Sequence, residues 1–266
     1  MNRGEAAPGG ERTMHTDRKW NLLAVAIAIA SLSVVSNSVI AAATNCPAPV
    51  PDHIPLAPSV PPPLNIGAIK DLLLEYHQKY YDMDVAAVFD VAQKFVEEYA
   101  AQAKRPALVL DIDETSLTNW PNLIADDFGF VIGGNCDVLP SGPCGFNSWI
   151  LKASAKPLEP ALKLFNAAKA KGVAVIFITG RVDAQRDATI LNLDHAGFEG
   201  WTELRTRPDR DGLLTVQEFK TAERTKVEEG EGYTIIANVG DQFSDVNGDH
   251  AGLCTFKMPN PFYLIR

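Results

Sequence analysis

Apolar residues in this chain follow two alternating patterns: short unbroken runs, and longer stretches spaced by three and four. The runs occupy residues 107–110 (A-L-V-L), 173–178 (V-A-V-I-F-I) and 234–237 (T-I-I-A), and each is soon followed by acidic, hydroxyl or glycine residues. A run with no polar gap reads as a strand covered on both faces, as in a parallel sheet between helical layers. The spaced stretches read as helices. Residues 82–99 place Val85, Val88, Phe89, Ala92, Phe95, Val96 and Tyr99 at helical spacing, with Asp82 or Asp84 as N-cap. Residues 64–80 form an earlier helix, so a helical preface precedes the first strand, and core packing is the expected role of its aromatic rings. Residues 157–171 carry the helical period through Leu158, Leu162 and Phe165 and stop at Gly172. Asp183 is placed to cap a helix that ends at Gly197, and Thr215-Val216-Gln217-Glu218 is a capping box opening a helix that carries Lys220. Strands alternating with helices predict an α/β fold, a Rossmann-like parallel sheet flanked by helices.

The periodic signals break down in two places. Residues 1–43 hold a polar start, a second methionine at Met14, the basic pair Arg18 and Lys19, an apolar stretch over 22–40 and the small residues Ala41, Ala42 and Ala43. That order is the pattern of a signal peptide cleaved near Ala43, with translation starting at Met1 or Met14. Ser31, Ser33, Ser36, Asn37 and Ser38 make the stretch a poor membrane anchor, so the expectation is an exported protein, periplasmic or secreted, with no stable membrane span after cleavage. Residues 44–63 form a proline-rich linker, and Cys46 within it lacks the preceding leucine and small-residue pattern used for lipid attachment. The second break, about 120–156, is interrupted by Gly133-Gly134, Pro140, Gly142-Pro143 and Gly145 and reads as a small inserted cap in a domain spanning 64–266.

The chain has 266 residues, 46% of them hydrophobic, enough for one sizeable core. Its formal charge is -9; residues 1–43 hold Arg3, Arg12, Arg18 and Lys19 against Glu5, Glu11 and Asp17, a net +1, which leaves -10 on the remainder. So acidic a body disfavours nucleic-acid polymers as partners, whereas a small phosphate ester can still bind where a cation and a local lysine or arginine invert the field. The four cysteines of an exported chain are disulfide candidates. Cys136 and Cys144 bracket the proline- and glycine-rich loop and are the favoured pair, leaving Cys46 and Cys254 free or joined.

Candidate chemistry sits where the apolar runs end. The first continues as L-D-I-D-E-T-S-L-T-N-W, placing Asp111 and Asp113 two residues apart so that both carboxylates can converge on one cation or one substrate atom. The second continues as I-T-G-R and the third as N-V-G-D-Q-F-S-D. Ligands of open α/β sheets bind at the carboxyl ends of strands. A lone D-x-D means little, but three such strand ends together mark a site.

D-I-D-E-T, I-T-G-R, the lysine of F-K-T-A-E-R and G-D-Q-F-S-D, in this order, resemble motifs one to four of the haloacid dehalogenase superfamily of phosphotransferases. The longer forms of motifs one and four, with the terminal F-K-M-P-N-P-F-Y, resemble the class B-like acid phosphatases, a group with bacterial lipoprotein acid phosphatases and plant vegetative storage proteins. The resemblance covers 64–266 and implies a haloacid dehalogenase-like fold and a phosphoric monoester hydrolase. It implies Mg²⁺ held by the Asp111 carboxylate, the Asp113 backbone carbonyl and Asp241, with Asp245 supporting that shell. Asp111 would be the nucleophile, forming an aspartyl-phosphate, and Asp113 the acid and base. Thr179, the Gly180 amide and Lys220 would hold the phosphoryl oxygens. The helix carrying Lys220, read alone, would leave it a solvated surface lysine.

The rival reading is a non-catalytic storage or binding protein on the same fold, which the carboxylate at Asp111 argues against. Trp120, Phe128, Phe130, Phe146 and Trp149 make the insertion aromatic, and bases stack on such rings for roughly 1 to 3 kcal/mol each. Trp149 and Phe130 are therefore the expected stacking partners of 5′-nucleotides or aromatic esters. A homodimer is left open.

Overall fold

The computed structural model describes residues 64–209 and 214–265; the expected signal segment and the proline-rich linker with Cys46 lie outside the described residues. The strands are β1 (Pro106–Leu110), β2 (Leu117–Thr118), β3 (Lys156–Pro157), β4 (Ala174–Val182), β5 (Glu203–Arg207), β6 (Thr234–Gly240) and β7 (Cys254–Lys257). β2 and β3 pair with each other. The other strands form one sheet in the order β5-β4-β1-β6-β7, with every neighbouring pair parallel. This is the expected α/β fold.

β1 is central, and its alternation explains the unbroken run. Leu108 and Leu110 join a core cluster with Phe89, Phe165 and Phe177, while Ala107 and Val109 face a second cluster with Ile176, Ile178, Phe219 and Ile235. Helices Asp82–Tyr99 and Glu159–Ala170 contribute to the first cluster and helix Val216–Thr225 to the second, so both faces are dry. Burying Leu108 or Leu110 contributes about 2 kcal/mol each. The edge strands escaped the sequence reading because E-L-R-T-R and C-T-F-K alternate, with only every second residue buried.

Two capping expectations do not hold. Neither Asp82 nor Asp84 is an N-cap, because helical backbone runs from Ile66–Tyr76 through a π turn, His77–Tyr81, directly into Asp82–Tyr99. Asp84 is buried and accepts the Tyr76 hydroxyl at 2.8 Å. Asp183 opens a 3₁₀ turn ahead of helix Arg186–His195, and the Val182 amide donates to Gln185 Oε1 at 3.0 Å. The capping box does hold: the Glu218 amide donates to Thr215 Oγ1 at 3.2 Å and the Thr215 amide to Glu218 Oε2 at 2.7 Å.

The insertion has more regular structure than its composition suggests. Helices Trp120–Ala125 and Phe146–Leu151 flank a loop closed by the expected Cys136–Cys144 disulfide. Asn122 donates to the Cys144 carbonyl and Asp126 accepts the Cys144 amide, so local side chains replace the missing period. Cys254 is also disulfide-bonded. Trp120 stacks on His77 with ring centroids 3.4 Å apart, and Phe262, in the terminal P-N-P-F-Y, lies 5.2 Å from both Trp120 and Tyr81. Preface, insertion and C-terminal segment thereby share one aromatic cluster.

Candidate active site

The sheet register builds the site. Leu110 pairs with Phe177 of β4 and Val239 of β6. Asp111 comes just after the last residue of β1, and Thr179 within β4 and Asp241 just past β6 each lie two beyond those partners, so the groups come level with one another, and all are buried. Asp245 comes in from helix Phe243–Val246, and only a glycine at 240 admits it: a Cβ there would lie 2.2 Å from Asp245 Cβ.

Asp111, Asp241 and Asp245 present carboxylate oxygens within 4.8 Å of one another. Lys220 Nζ donates to Asp111 Oδ1 and Asp245 Oδ1, both at 2.5 Å, and is 4% exposed, which overturns the surface reading its helix alone suggested. Three carboxylates face one ammonium in this nest, and with all three ionised it would carry two negative charges. Burial pushes the Asp111 carboxyl well above the usual range, opposed by Lys220 and reinforced by Asp245 and Asp241. Burial, then Asp245, pushes Asp241 up to about 7, against hydrogen bonds from Asn260 and Gln242. Burial disfavours the charge of Lys220, but Asp111 and Asp245 outweigh it and raise its pKa. A nest of three carboxylates offering hard oxygen donors fits a divalent cation, whose charge would favour their ionised forms.

The Asp113 side chain turns away from this nest. Arg181 grips it, with Nη2 donating to Oδ1 at 2.7 Å and Nε donating at 3.1 Å to Oδ2, and Asn119 Nδ2 adds a bond at 2.9 Å. Although burial opposes it, Arg181 and then Asn119 hold the Asp113 carboxyl below its ordinary pKa. The Asp113 carboxylate is thus engaged by Arg181 and Asn119 and is not among the carboxylates of the nest.

Several partners of the site were missed in the sequence. Arg181, Asn119 and Glu114 lay inside quoted motifs without a role, and Asn260 and Tyr263 lay in the terminal F-K-M-P-N-P-F-Y. Glu114 is buried with φ +51, and its carboxylate accepts the Asn119 amide at 2.5 Å and the Tyr263 hydroxyl at 2.8 Å. Burial, and after it the charge of Asp113, pushes Glu114 up to about 7. A left-handed backbone at a non-glycine residue is held only where its surroundings over-determine it. Asn260 Nδ2 and Gln242 Nε2 donate to Asp241 Oδ2, each at 2.6 Å, and Thr115 Oγ1 lies 3.4 Å from Asp241 Oδ1. Beside Asp241 opens a cleft of about 310 Å³, walled by Phe243, Lys257, Asn260 and Tyr263.

The other sequence-derived site residues divide. Thr179 Oγ1 accepts the Arg181 amide at 3.2 Å, and Gly180 lies between them on β4. At the turn beyond them, Gln185 Oε1 accepts the Val182 amide and Asp209 Oδ1 the Ala184 amide. Trp149 is 3% exposed and presents no free face to a base; its Nε1 donates to Asn119 Oδ1 at 2.7 Å, and through Asn119 it braces Asp113. It is a correction to the stacking expectation. Phe130 is 68% exposed and pairs with Phe146 at 5.3 Å.

A family model described as HAD superfamily, subfamily IIIB (acid phosphatase) matches residues 67–266. Acid phosphatase 1 of Solanum lycopersicum is 31% identical over 186 residues, which cover 70% of this chain and 69% of that one. The stem 28 kDa glycoprotein of Glycine max is 31% identical over 192 residues, 71% and 72% of the respective lengths. The fold is similar to that of the class C acid phosphatase from Bacillus anthracis, with a TM-score of 0.57 at 24% identity over 74% of this chain and 84% of that one.

Proposed function

We propose a reaction for this chain from one premise: it belongs to the haloacid dehalogenase superfamily, subfamily IIIB, and is an acid phosphatase. The observation that carries the proposal is the buried contact of Lys220 with Asp111 inside the nest of Asp111, Asp241 and Asp245. Asp111 Oδ attacks the phosphorus of a small phosphate monoester, the bond to the leaving oxygen breaks, and an aspartyl-phosphate forms. Asp113 gives its proton to the leaving alkoxide and then takes one from the water that hydrolyses the aspartyl-phosphate. Arg181 keeps Asp113 ionised at rest, so acidic solution helps to load it with the proton the first step requires. Lys220 orients Asp111 and, with Thr179 and the Gly180 amide, holds the phosphoryl oxygens. Mg²⁺ would be held by Asp111, Asp241, Asp245 and the Asp113 carbonyl, and it supplies charge neutralisation and polarisation of the phosphoryl group.

The reading favours 5′-nucleotides or aromatic esters, with Phe130 as the exposed ring available to stack. Export is part of it too: among the described residues no helix is long and apolar enough to cross a membrane, and the signal pattern of 1–43 supports passage out of the cytoplasm. Similar proteins include vegetative storage proteins of Arabidopsis thaliana. The carboxylate at Asp111 and its pairing with Lys220 favour catalysis over storage. The test compares kcat/KM for AMP, p-nitrophenyl phosphate and glucose 6-phosphate, with Mg²⁺ and with chelator, in wild type and Phe130→Ala. The expected result is chelator-sensitive turnover, lowest on glucose 6-phosphate, with the aromatic preference reduced about tenfold in the variant. Full activity after exhaustive chelation would refute the metal role, and equal efficiency on all three esters the preference.

A further inference from the structure

Arg224 is 1% exposed, yet among the described residues no carboxylate oxygen pairs with its guanidinium. Its hydrogen bonds go to neutral oxygens instead. Nη1 donates to the Asp245 carbonyl at 2.7 Å, and Nη2 to the carbonyls of Asn247 at 2.5 Å and Asp249 at 3.3 Å and to Thr221 Oγ1 at 3.1 Å. The charges of Asp245 and Glu228 favour the guanidinium from farther off, yet a buried charge with no direct ion pair is costly, so packing alone is better served by an apolar side chain of similar volume. All three carbonyls belong to residues 245–249, the segment that begins with the third carboxylate of the nest.

The position of Arg224 on its helix gives the arrangement its meaning. It lies one turn beyond Lys220 on Val216–Thr225, so the two cations share a face. Lys220 holds the Asp245 carboxylate, Arg224 holds the Asp245 carbonyl, and Asn238 Nδ2 adds a second donor to that carbonyl at 2.9 Å. The loop closes tightly over the helix at Gly248, φ +89, where a Cβ would lie 2.4 Å from Thr221 Oγ1. Asp245 is therefore gripped at its main chain and its side chain from one helix.

We propose that Arg224 is a positioning residue for the cation site, fixing the main chain at Asp245 so that its carboxylate completes the nest and Lys220 can bridge it to Asp111. This rests on the reading that Asp111, Asp241 and Asp245 hold Mg²⁺. The planar fork of arginine reaches the spread carbonyls of 245–249 from two nitrogens in a fixed geometry, whereas the ammonium of lysine donates from a single nitrogen. Removing such an outer partner weakens metal binding 10- to 100-fold in general.

The experiment measures Mg²⁺ affinity of the full chain by titration calorimetry and by the Mg²⁺-induced rise in Tm, in wild type, Arg224→Lys, Arg224→Met and Val227→Ala. Val227 is fully buried in the second core cluster, carries no polar side-chain atom, and reports simple loss of packing. The expected result is Mg²⁺ binding weakened by about 10-fold or more in Arg224→Lys and further in Arg224→Met. Val227→Ala should lose Tm but keep wild-type affinity, and Arg224→Lys should regain kcat at saturating Mg²⁺. If Arg224→Met does not fold, Arg224→Lys decides. Wild-type affinity in Arg224→Lys, with Mg²⁺ binding intact in wild type, overturns the inference alone. A wild type that binds no Mg²⁺ overturns the cation reading and the inference with it.

Discussion

Asp111 and Lys220 lie 109 residues apart in the chain and 2.5 Å apart in space, whereas Cys136 and Cys144 are separated by 8 residues and joined covalently. The first pair belongs to the carboxylate nest, the second to the insertion. The bonds of Lys220 to Asp111 and Asp245 join a helix to a strand end and to the short helix Phe243–Val246, which the sheet brings together. The loop of the insertion is held by its own neighbours: a disulfide, and the Asn122 and Asp126 bonds to Cys144. The contrast separates two kinds of dependence. The expectation is that changes in the nest act first on the reaction, and that changes in the disulfide-closed loop act first on local stability.

The sharpest way to break this comparison is Asp111→Asn, which removes the nucleophile and one negative charge from the nest. Turnover of p-nitrophenyl phosphate is expected to fall by at least about a thousandfold, with Tm unchanged or raised, because the nest carries excess negative charge. Activity within tenfold of wild type, only about 1.4 kcal/mol in barrier, would show that the nest is not where the reaction occurs. Next in size is the double variant Cys136→Ser and Cys144→Ser. The loop-entropy model gives a loss of about 2 to 3 kcal/mol. Melting with calorimetric Mg²⁺ titration checks it: stability should fall while Mg²⁺ affinity holds, and a parallel loss of affinity would mean the two regions are not separable.

The smallest effect concerns His77, stacked on Trp120 at the base of the insertion. Burial lowers its pKa from 6.5, with Asp82 pulling the other way. The unfolded chain then binds the proton more readily than the folded one, so the stability His77 contributes is present above about 6.5 and diminishes as pH falls below it. His77→Phe keeps the stack and removes the titration. Its Tm should drop less than that of wild type between pH 7.5 and 5.5, and identical slopes would contradict the assignment.

The nest was more legible in the sequence than the insertion for the same physical reason. A parallel strand buried on both faces must be apolar throughout and must end where polar groups become tolerable, so Asp111, Thr179 and Asp241 stood out at the ends of their runs. Lys220 did not, because nothing in a helix period shows that a lysine points inward. Arg181, Asn119 and Glu114 were visible as letters within motifs, but their bonds depend on a turn at Glu114 with φ +51, which no periodicity encodes. Trp149 was misjudged for a related reason. Aromatic content measures apolar area, and an indole whose N–H reaches Asn119 is buried as readily as one that faces a ligand. The continuous helix through His77–Tyr81 was hidden because acidic residues suited to a cap can also sit inside a helix and bond elsewhere, as Asp84 does with Tyr76.

The central place of β1 also governs the order of events as the chain folds. Pro106 pairs with Thr234 and Ala107 with Ala174, so the middle strand waits for partners synthesised much later. Such non-local pairing is slow, since loop-closure entropy is lost before any contact repays it. Until β6 docks, Asp111 has neither Asp241 nor Asp245 beside it, and three carboxylates gathered without Lys220 repel one another. Turnover is therefore expected to return during refolding only once β6 and the Lys220 helix have docked on β1, which activity assays timed against far-UV dichroism would check.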